Sequence, residues 1–425
     1  MARIGALQAL SAVGPQEKFM YDDKSQWAPN ITHHSKFAIT RRMLPVINKT
    51  GGTYLDSQYQ IAIYPKQEED LLSNMFLSVS LPALPTGYNY CELVGRAIIK
   101  QAEILIDGKV IESLEDDWYV IRDQLFLNAD EKLSMYRLVS NGQAESNVVP
   151  ATTQLNFMVP LDFFFCRRKR RQGKPYLPLC AMENSSVIIR LTFNTQAWIT
   201  NYTGATIDLL NPRLLLEEIT LTPEERIYYK TTKLTFKIPV ASREAVQSYQ
   251  NGTVRMNLTA DFPVSMLVWF VRNRLYESTT NSVYYASRYT YGYSTDYIVS
   301  AVPINFFNGV TQKFVDIIKS ATIYLNNKNV LSNFPGSLYY TYKQSTEHSL
   351  TAPTKNMYMY CFGDDPSAYS QDGTVDFRQL NSQTTYIDMT FDPALAPQIT
   401  QGYNMYLYYY GYRTLVISGG KLKFT

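Results

Sequence analysis

The sequence predicts an all-β protein made of two tandem copies of one β-domain, with short helices in its loops. Three observations carry this prediction. Residues 97–113, AIIKQAEILIDGKVIES, come again 219 positions later as DIIKSATIYLNNKNVLS. Residues 184–194, NSSVIIRLTFN, are echoed by NSQTTYIDMTFD, with Ile189, Leu191 and Phe193 matching Ile387, Met389 and Phe391 at an offset of 198. The composition suits short aromatic strands and turns: 34 Tyr, 20 Phe, 20 Gly and 20 Pro, with only 18% charged residues. Because the two offsets differ, the copies keep their order and vary in loop length. A chain of 425 residues divides naturally into two cores of about 200 residues each.

The repeated segment reads as a hairpin. Ala102, Ile104 and Ile106 alternate with Gln101 and Glu103, and Ala321, Ile323 and Leu325 alternate with Ser320, Thr322 and Tyr324. That is the period of two of a strand with one buried side. Each strand then meets a tight turn, Asp107-Gly108 or Asn326-Asn327. These residue types tolerate the positive φ that a two-residue hairpin turn needs at both central positions. Lys100 and Lys319 match as well.

Taken in order, residues 1–30 read as an extended arm containing Pro15 and Pro29. YQIAIY (59–64) has strand character, and Met75, Leu77, Val79 and Leu81 share one face of the strand in 66–84. After the first hairpin, Trp118, Ile121 and Leu125 in 115–127 follow a helical spacing behind an acidic start. Residues 128–153 read as a long polar loop, and LNFMVPLDFFF (155–165) as a strand pair interrupted by Pro160. In 217–229, Thr222 is placed to cap a short helix with Pro223 at its first position and Glu224 and Glu225 at its positive end. The domain boundary is set here, giving units 31–221 and 222–425. The second unit opens with KLTFKIPV (233–240). In TADFPVSMLVWFVRN (259–273) both faces are apolar, which marks a central strand. A tyrosine-rich loop (284–297), the second hairpin, NMYMYCFG (356–363) and the strands of 404–424 complete the chain.

No catalytic, cofactor-binding or metal constellation stands out in the sequence. The histidines are His33, His34 and His348, and the adjacent pair would point opposite ways on an extended segment. No HExxH, GxSxG, Walker-type loop or CxxC pair occurs. Asp116-Asp117 and Asp364-Asp365 lack EF-hand spacing and read as solvated turns. Cys91, Cys166, Cys180 and Cys361 are scattered and read as free thiols. The net charge of +3 argues for neither a nucleic-acid nor a membrane partner. MARIGALQALSAVG lacks the apolar core of a cleaved signal, and no apolar run reaches the roughly 20 residues that span a bilayer. The expectation is a soluble, cytosolic product.

Two surface features stay open. The basic run Arg167, Arg168, Lys169, Arg170 and Arg171 reads as a solvated loop tip, as a contact with an acidic partner or neighbouring subunit, or as a nuclear-targeting or nucleic-acid patch, in that order. The loop carrying Tyr289, Tyr291 and Tyr293 suits aromatic packing within a domain or subunit contact. Sugar stacking, as in a carbohydrate-binding or host-attachment β-sandwich, is the alternative. The six N-x-S/T sequons (Asn30, Asn48, Asn184, Asn201, Asn251 and Asn257) read mostly as chance matches.

Over nearly its whole length the chain resembles the double jelly-roll major capsid proteins of nucleocytoplasmic large DNA viruses and their smaller double-stranded DNA relatives, the polinton-like viruses and virophages. The segments that carry the resemblance keep the family order. They are LQALSAVGPQEKFMY with HHSKFA, DLLSNMFLSVSLPAL, VGRAIIKQAEILIDGKVIES with DDWYVIRDQL, VPLDFFFCRR with YLPLCAMENSSVIIRLTF, and LTPEERIYY. DFPVSMLVWFVRN, the second hairpin, MYMYCFGDDPS with GTVDFRQLNS, and YYYGYRTLVISGGKLKF follow. The loop of Arg167–Arg171 is more basic than the family pattern, and GTVDFRQLNS replaces an Asn-Phe-Ser-Arg version.

The resemblance implies two eight-stranded antiparallel jelly rolls in tandem and a structural, non-enzymatic role without cofactors. It implies homotrimeric, pseudo-hexagonal capsomers tiling an icosahedral virion shell, assembled in the cytoplasm of an infected cell. The partners it implies are the chain itself, neighbouring capsomers, penton and minor capsid or cement proteins, and an internal membrane, with no sequence-specific nucleic acid.

Overall fold

The computed structural model describes residues 37–47, 52–66, 69–143, 148–167, 176–249, 253–277, 292–297, 314–335, 338–366, 373–391 and 402–424. The expected arm at 1–30, the basic residues Arg168, Lys169, Arg170 and Arg171, and Tyr289 and Tyr291 lie outside these residues. The chain divides into a unit Met1–Ala38 and a compact unit Ile39–Thr425 that holds both sets of sheets.

The first set comprises β1 (Ala38–Pro45), β2 (Gln58–Ile63), β3 (Leu71–Leu81), β4 (Ile99–Ile106), β5 (Lys109–Glu115), β6 (Leu155–Pro160), β7 (Val187–Phe193) and β8 (Leu210–Thr220). They pair as two four-stranded sheets, β1-β8-β3-β6 and β2-β7-β4-β5. The second set comprises β9 (Leu234–Arg243), β10 (Thr253–Asn257), β11 (Pro263–Asn273), β12 (Ile318–Leu325), β13 (Lys328–Pro335), β14 (Tyr358–Cys361), β15 (Tyr386–Phe391) and β16 (Tyr403–Ser418). Their sheets run β9-β16-β11-β14 and β10-β15-β12-β13, the same order with each label raised by eight. This is jelly-roll order, twice. Among the described residues the strand number is not eight throughout. Gln247–Tyr249, Val375–Asp376 and Lys421–Phe424 also join the first sheet of the second roll, making it seven-stranded, and two short ribbons stand apart.

The copies agree in register as well as order. Ala102 faces Leu191 and Ile104 faces Ile189 in the first roll, while Ala321 faces Met389 and Ile323 faces Ile387 in the second. Both ladders slip at the matched lysine, between Ile99 and Gln101 and between Ile318 and Ser320. Both hairpins have an irregularity one residue further on than the shared isoleucine, between Ile104 and Leu105 and between Ile323 and Tyr324. A bulge at one position changes local twist and is kept only where the packing around it uses that twist. The turns agree too: φ is 50° at Asp107, 77° at Gly108, 49° at Asn326 and 62° at Asn327.

Each turn is stapled to the segment leading into the neighbouring strand. The Asp107 carboxylate accepts from Ser185 Oγ at 2.9 Å and from the Ser186 backbone N–H at 2.8 Å. Asn326 Oδ1 accepts from the Asn381 backbone N–H at 2.9 Å and from Thr384 Oγ1 at 3.4 Å.

Burial follows the strand period. Met75, Leu77, Val79 and Leu81 of β3 are buried while Asn74, Phe76, Ser78 and Ser80 between them are half-exposed. β11 differs, being buried at every position from Val264 to Asn273, between β16 and β14.

Three local expectations are corrected. Residues 128–153 are not one loop but hold a helix, Ala129–Val139. Its start is a capping box in which Asn128 accepts from the Glu131 N–H at 2.9 Å and Glu131 accepts from the Asn128 N–H at 3.0 Å. Its core-facing side is Lys132, Met135, Tyr136 and Val139, a stripe that is short and opens on a lysine, so periodicity does not single it out. Residues 155–165 hold one strand, β6, and not a pair. Phe163, Phe164 and Phe165 are consecutive and all buried, in a turn that no alternation describes. The Asp116-Asp117 turn is a buried helix start, taken up below.

Candidate functional site at the seam between the two rolls

Helix α1 (Asp116–Leu125) leaves β5 of the first roll and runs along the second. Its extended N-cap residue is Glu115, and nine of its ten residues are buried. At 100° per residue, Asp117, Trp118, Ile121, Gln124 and Leu125 share one face and Tyr119 and Asp123 the other. The contacts follow this division.

On the face toward the second roll, Trp118 stacks on Tyr410 and tilts against Tyr408, both of β16, at 5.6 and 5.8 Å. Asp117 takes both arms of the Arg272 guanidinium from β11, at 2.6 and 3.0 Å, and the Tyr293 hydroxyl at 2.7 Å. Gln124 Oε1 accepts from the backbone N–H and hydroxyl of Thr354, both at 2.9 Å. The Leu125 carbonyl accepts from the Thr351 N–H.

On the opposite face, the Tyr119 hydroxyl donates to the Leu161 carbonyl at 3.0 Å. Arg96 sits 4.7 Å above the Tyr119 ring, pairs with Asp123 and Asp162 at 3.1 Å each, and donates to the Pro160 carbonyl at 2.6 Å. Helix α1 is therefore a wedge with a first-roll side and a second-roll side.

A second tie lies beside it. Arg167 donates to the Asp162 carbonyl and to the Pro239 carbonyl of β9, both at 3.0 Å, and pairs with Glu112 of β5. Glu112 also accepts from the Phe164 N–H at 2.8 Å. Helix α2 (Pro223–Thr231) links the rolls in sequence, capped by Thr222, whose hydroxyl accepts from the Glu225 N–H at 3.3 Å. Its Arg226 grips Asp70 at 2.6 and 2.9 Å.

The electrostatics suit a permanent seam. Burial works to raise the Asp117 pKa, but the Arg272 guanidinium and the Tyr293 hydroxyl outweigh it and hold the carboxyl below its usual range. Glu115 is the opposite case. Burial, aided by Asp116 and Asp117, lifts it to about 7, because Arg243 at 3.9 Å offsets only part of the cost. Among the described residues, no group of three His, Cys, Asp or Glu side chains is placed to hold a metal ion. Cys91, Cys166, Cys180 and Cys361 form no disulfide with one another. Among the described residues, no helix is long and apolar enough to cross a membrane. The seam's chemistry is ion pairing that joins one roll to the other.

Two residues expected at a partner contact belong to this interior. Arg167 is saturated by Glu112 and two carbonyls, and Tyr293 is fully buried, packed on Phe270 at 4.7 Å. Both are spent within the chain, because a buried carboxylate needs a neutralising or donating partner. Asp116-Asp117 is corrected for the same reason: the acidic pair starts a helix that the second roll covers. What the sequence reading missed is the partner of Asp117. The one signal was Arg272, the charge that closes the apolar run PVSMLVWFV. A charge there must either end the strand or find a buried counter-ion.

Comparison with known proteins agrees with this architecture. Residues 25–229 match the family model described as the major capsid protein N-terminus, and residues 225–413 match that of the large eukaryotic DNA virus major capsid protein. The chain is 22% identical over 392 residues to the major capsid protein of Pyramimonas orientalis virus, covering 89% of this chain and 91% of that one. It is 23% identical over 319 residues to the major capsid protein of Paramecium bursaria Chlorella virus 1, covering 72% and 70%. Among solved structures, the PBCV-1 virus capsid matches with a TM-score of 0.74 at 18% identity, over 94% of this chain and 99% of that one. The Faustovirus major capsid protein matches with a TM-score of 0.68 at 14% identity, over 98% of each chain. These structural likenesses show the double jelly-roll fold.

Proposed function

Because the chain belongs to the major capsid proteins of large eukaryotic DNA viruses, we propose that three copies form a pseudo-hexagonal capsomer and that these capsomers tile an icosahedral shell. The chain is a structural component of the virion capsid, and that role entails self-association and contact with neighbouring capsomers. One observation carries the trimer: the two rolls repeat strand order, register and bulges within one chain. A subunit with two like rolls offers two like edges, so three subunits close a ring of six similar units. The seam fixes one roll against the other through buried charge, which keeps each subunit a rigid tile. Contacts within the trimer fall in the obligate class of about 2,000 Å² or more, while contacts between capsomers are weak singly and strong together.

The remaining partners in this reading are penton and minor capsid or cement proteins and an internal membrane, met by the arm at 1–30, with assembly in the host cytoplasm. The units 31–221 and 222–425 serve as its two building blocks. In its support, every strand ladder among the described residues joins strands of the same block. The carbohydrate-binding or host-attachment alternative drew on Tyr289, Tyr291 and Tyr293, and loses Tyr293 to the buried seam.

Light scattering after size exclusion, with negative-stain imaging of the same fraction, tests the reading. Particles of three times 48.8 kDa with a hexagonal outline are expected. A monodisperse monomer or dimer that binds glycans would sink it.

A further inference from the structure

The two rolls differ in what lies on the outer face of the sheet that contains their first strand. In the second roll this face is covered from within the chain. Tyr408 and Tyr410 of β16 point away from the roll's own core and are buried beneath Trp118 of α1. In the first roll the matching face belongs to β1-β8-β3-β6. Leu215 pairs with Phe76, and Ser78 with Met158, on the side opposite the core residues Met75, Leu77 and Val79. Phe76, Leu215 and Met158 are half-exposed. On β1, Arg41 reaches Glu217 on this same side, so Ile39 and Met43, two positions either way, share it. They are 50% and 47% exposed. An apolar stripe of this kind on a sheet face marks a surface that meets a partner.

The chain's own repeat says what that partner is. The cover of the second roll, α1, is the segment that follows the hairpin strand β5. The segment that follows β13, the counterpart of β5, is Leu338–Lys343 with Gln344–Glu347. Within the chain it leaves Leu338 68% and Tyr342 49% exposed. Stepping from the first roll to the second places α1 on the sheet of the next roll. Repeating that step, from the second roll to the first roll of another copy, places 338–347 on β1-β8-β3-β6. We propose that the outer face of β1-β8-β3-β6 is the docking surface for residues 338–347 of a second copy of this chain. The assignment rests on the trimer reading above and specifies its contact: the buried seam within a subunit, repeated between subunits with a different cover.

A photo-reactive p-benzoylphenylalanine at position 215 of the full-length protein tests this, with mass spectrometry of the cross-linked peptides. Mixing isotopically light and heavy chains separates links between copies from links within one. The expected result is a link from position 215 to the 338–347 peptide of another copy. In parallel, Phe76→Asp is expected to weaken association at least about tenfold with the near-UV spectrum and melting of the subunit unchanged. A trimer whose links map to the chain's own residues 1–36, or to any other region of a second copy, overturns the assignment and leaves the trimer reading intact. A monomeric wild-type protein overturns both.

Discussion

The outer faces of the two matching sheets are made of the same strands in the same order and are built for different surroundings. In the second roll, β11 is apolar at almost every position and β16 brings a ladder of tyrosines, Tyr406, Tyr408 and Tyr410. In the first, β3 alternates Met75, Leu77 and Val79 with Asn74, Phe76, Ser78 and Ser80. A strand covered on both sides can be apolar throughout, whereas one covered on a single side alternates. A duplicated fold thus keeps its inward-facing residues and lets the outward ones follow what covers them. It also separates two kinds of attachment: the seam within the subunit uses desolvated charge and stacked rings, and the open face offers a half-exposed apolar row, Leu215, Phe76 and Met158, edged by polar side chains.

The largest effect should come from cutting the seam. Arg272→Met leaves Asp117 buried without its counter-ion and is expected to cost about 3–5 kcal/mol in urea unfolding. Adding Asp117→Leu should return much of that loss. If the single variant unfolds like the wild type, the pair does not hold the rolls together. Next, Trp118→Ala should cost about 3 kcal/mol as a cavity opens over Tyr408 and Tyr410, while Phe76→Ala on the half-exposed counterpart face costs the isolated subunit under about 1 kcal/mol. Equal losses by calorimetry would erase the distinction between the two faces.

The hairpins sharpen the comparison from the other side, because there the rolls should behave alike. Replacing Asp107 and Gly108 by two valines forces β-branched residues to positive φ, at about 1–2 kcal/mol for each position, and the same replacement of Asn326 and Asn327 should cost a similar amount. Unchanged melting and yield in either variant would refute the turn assignment there. The smallest effect concerns pH. Glu115 has its folded pKa raised from the usual 4.5 to about 7, so its ionisation costs stability progressively as pH rises between those values. Glu115→Gln should therefore melt higher than wild type at about pH 8, by the equivalent of about 1–2 kcal/mol, and the same at about pH 4, where both side chains are neutral. Asp117 has the opposite sign: its stabilisation is present above the usual carboxylate value and is lost as pH falls through the depressed folded value. A constant difference between Glu115→Gln and wild type across pH would place Glu115 outside the buried seam.

The duplication, the faces of the repeated strands, the hairpin turns, the central position of β11 and the capped linker at Thr222 were legible in the residues alone. Each of these is written in neighbouring residues, through a period of two, a positive-φ residue type or a capping side chain. The roles of Asp117, Arg167 and Tyr293 emerge in the folded chain, where their partners meet them. Asp117 and Arg272 stand 155 residues apart, and an aspartate in the first turn of a helix looks the same in sequence whether water or a guanidinium meets it. The capped helix Ala129–Val139 escaped notice because its core-facing stripe is short and opens on Lys132. The seam was hidden because the cost of burying a charge is settled by its partner, and the partner is brought by the fold.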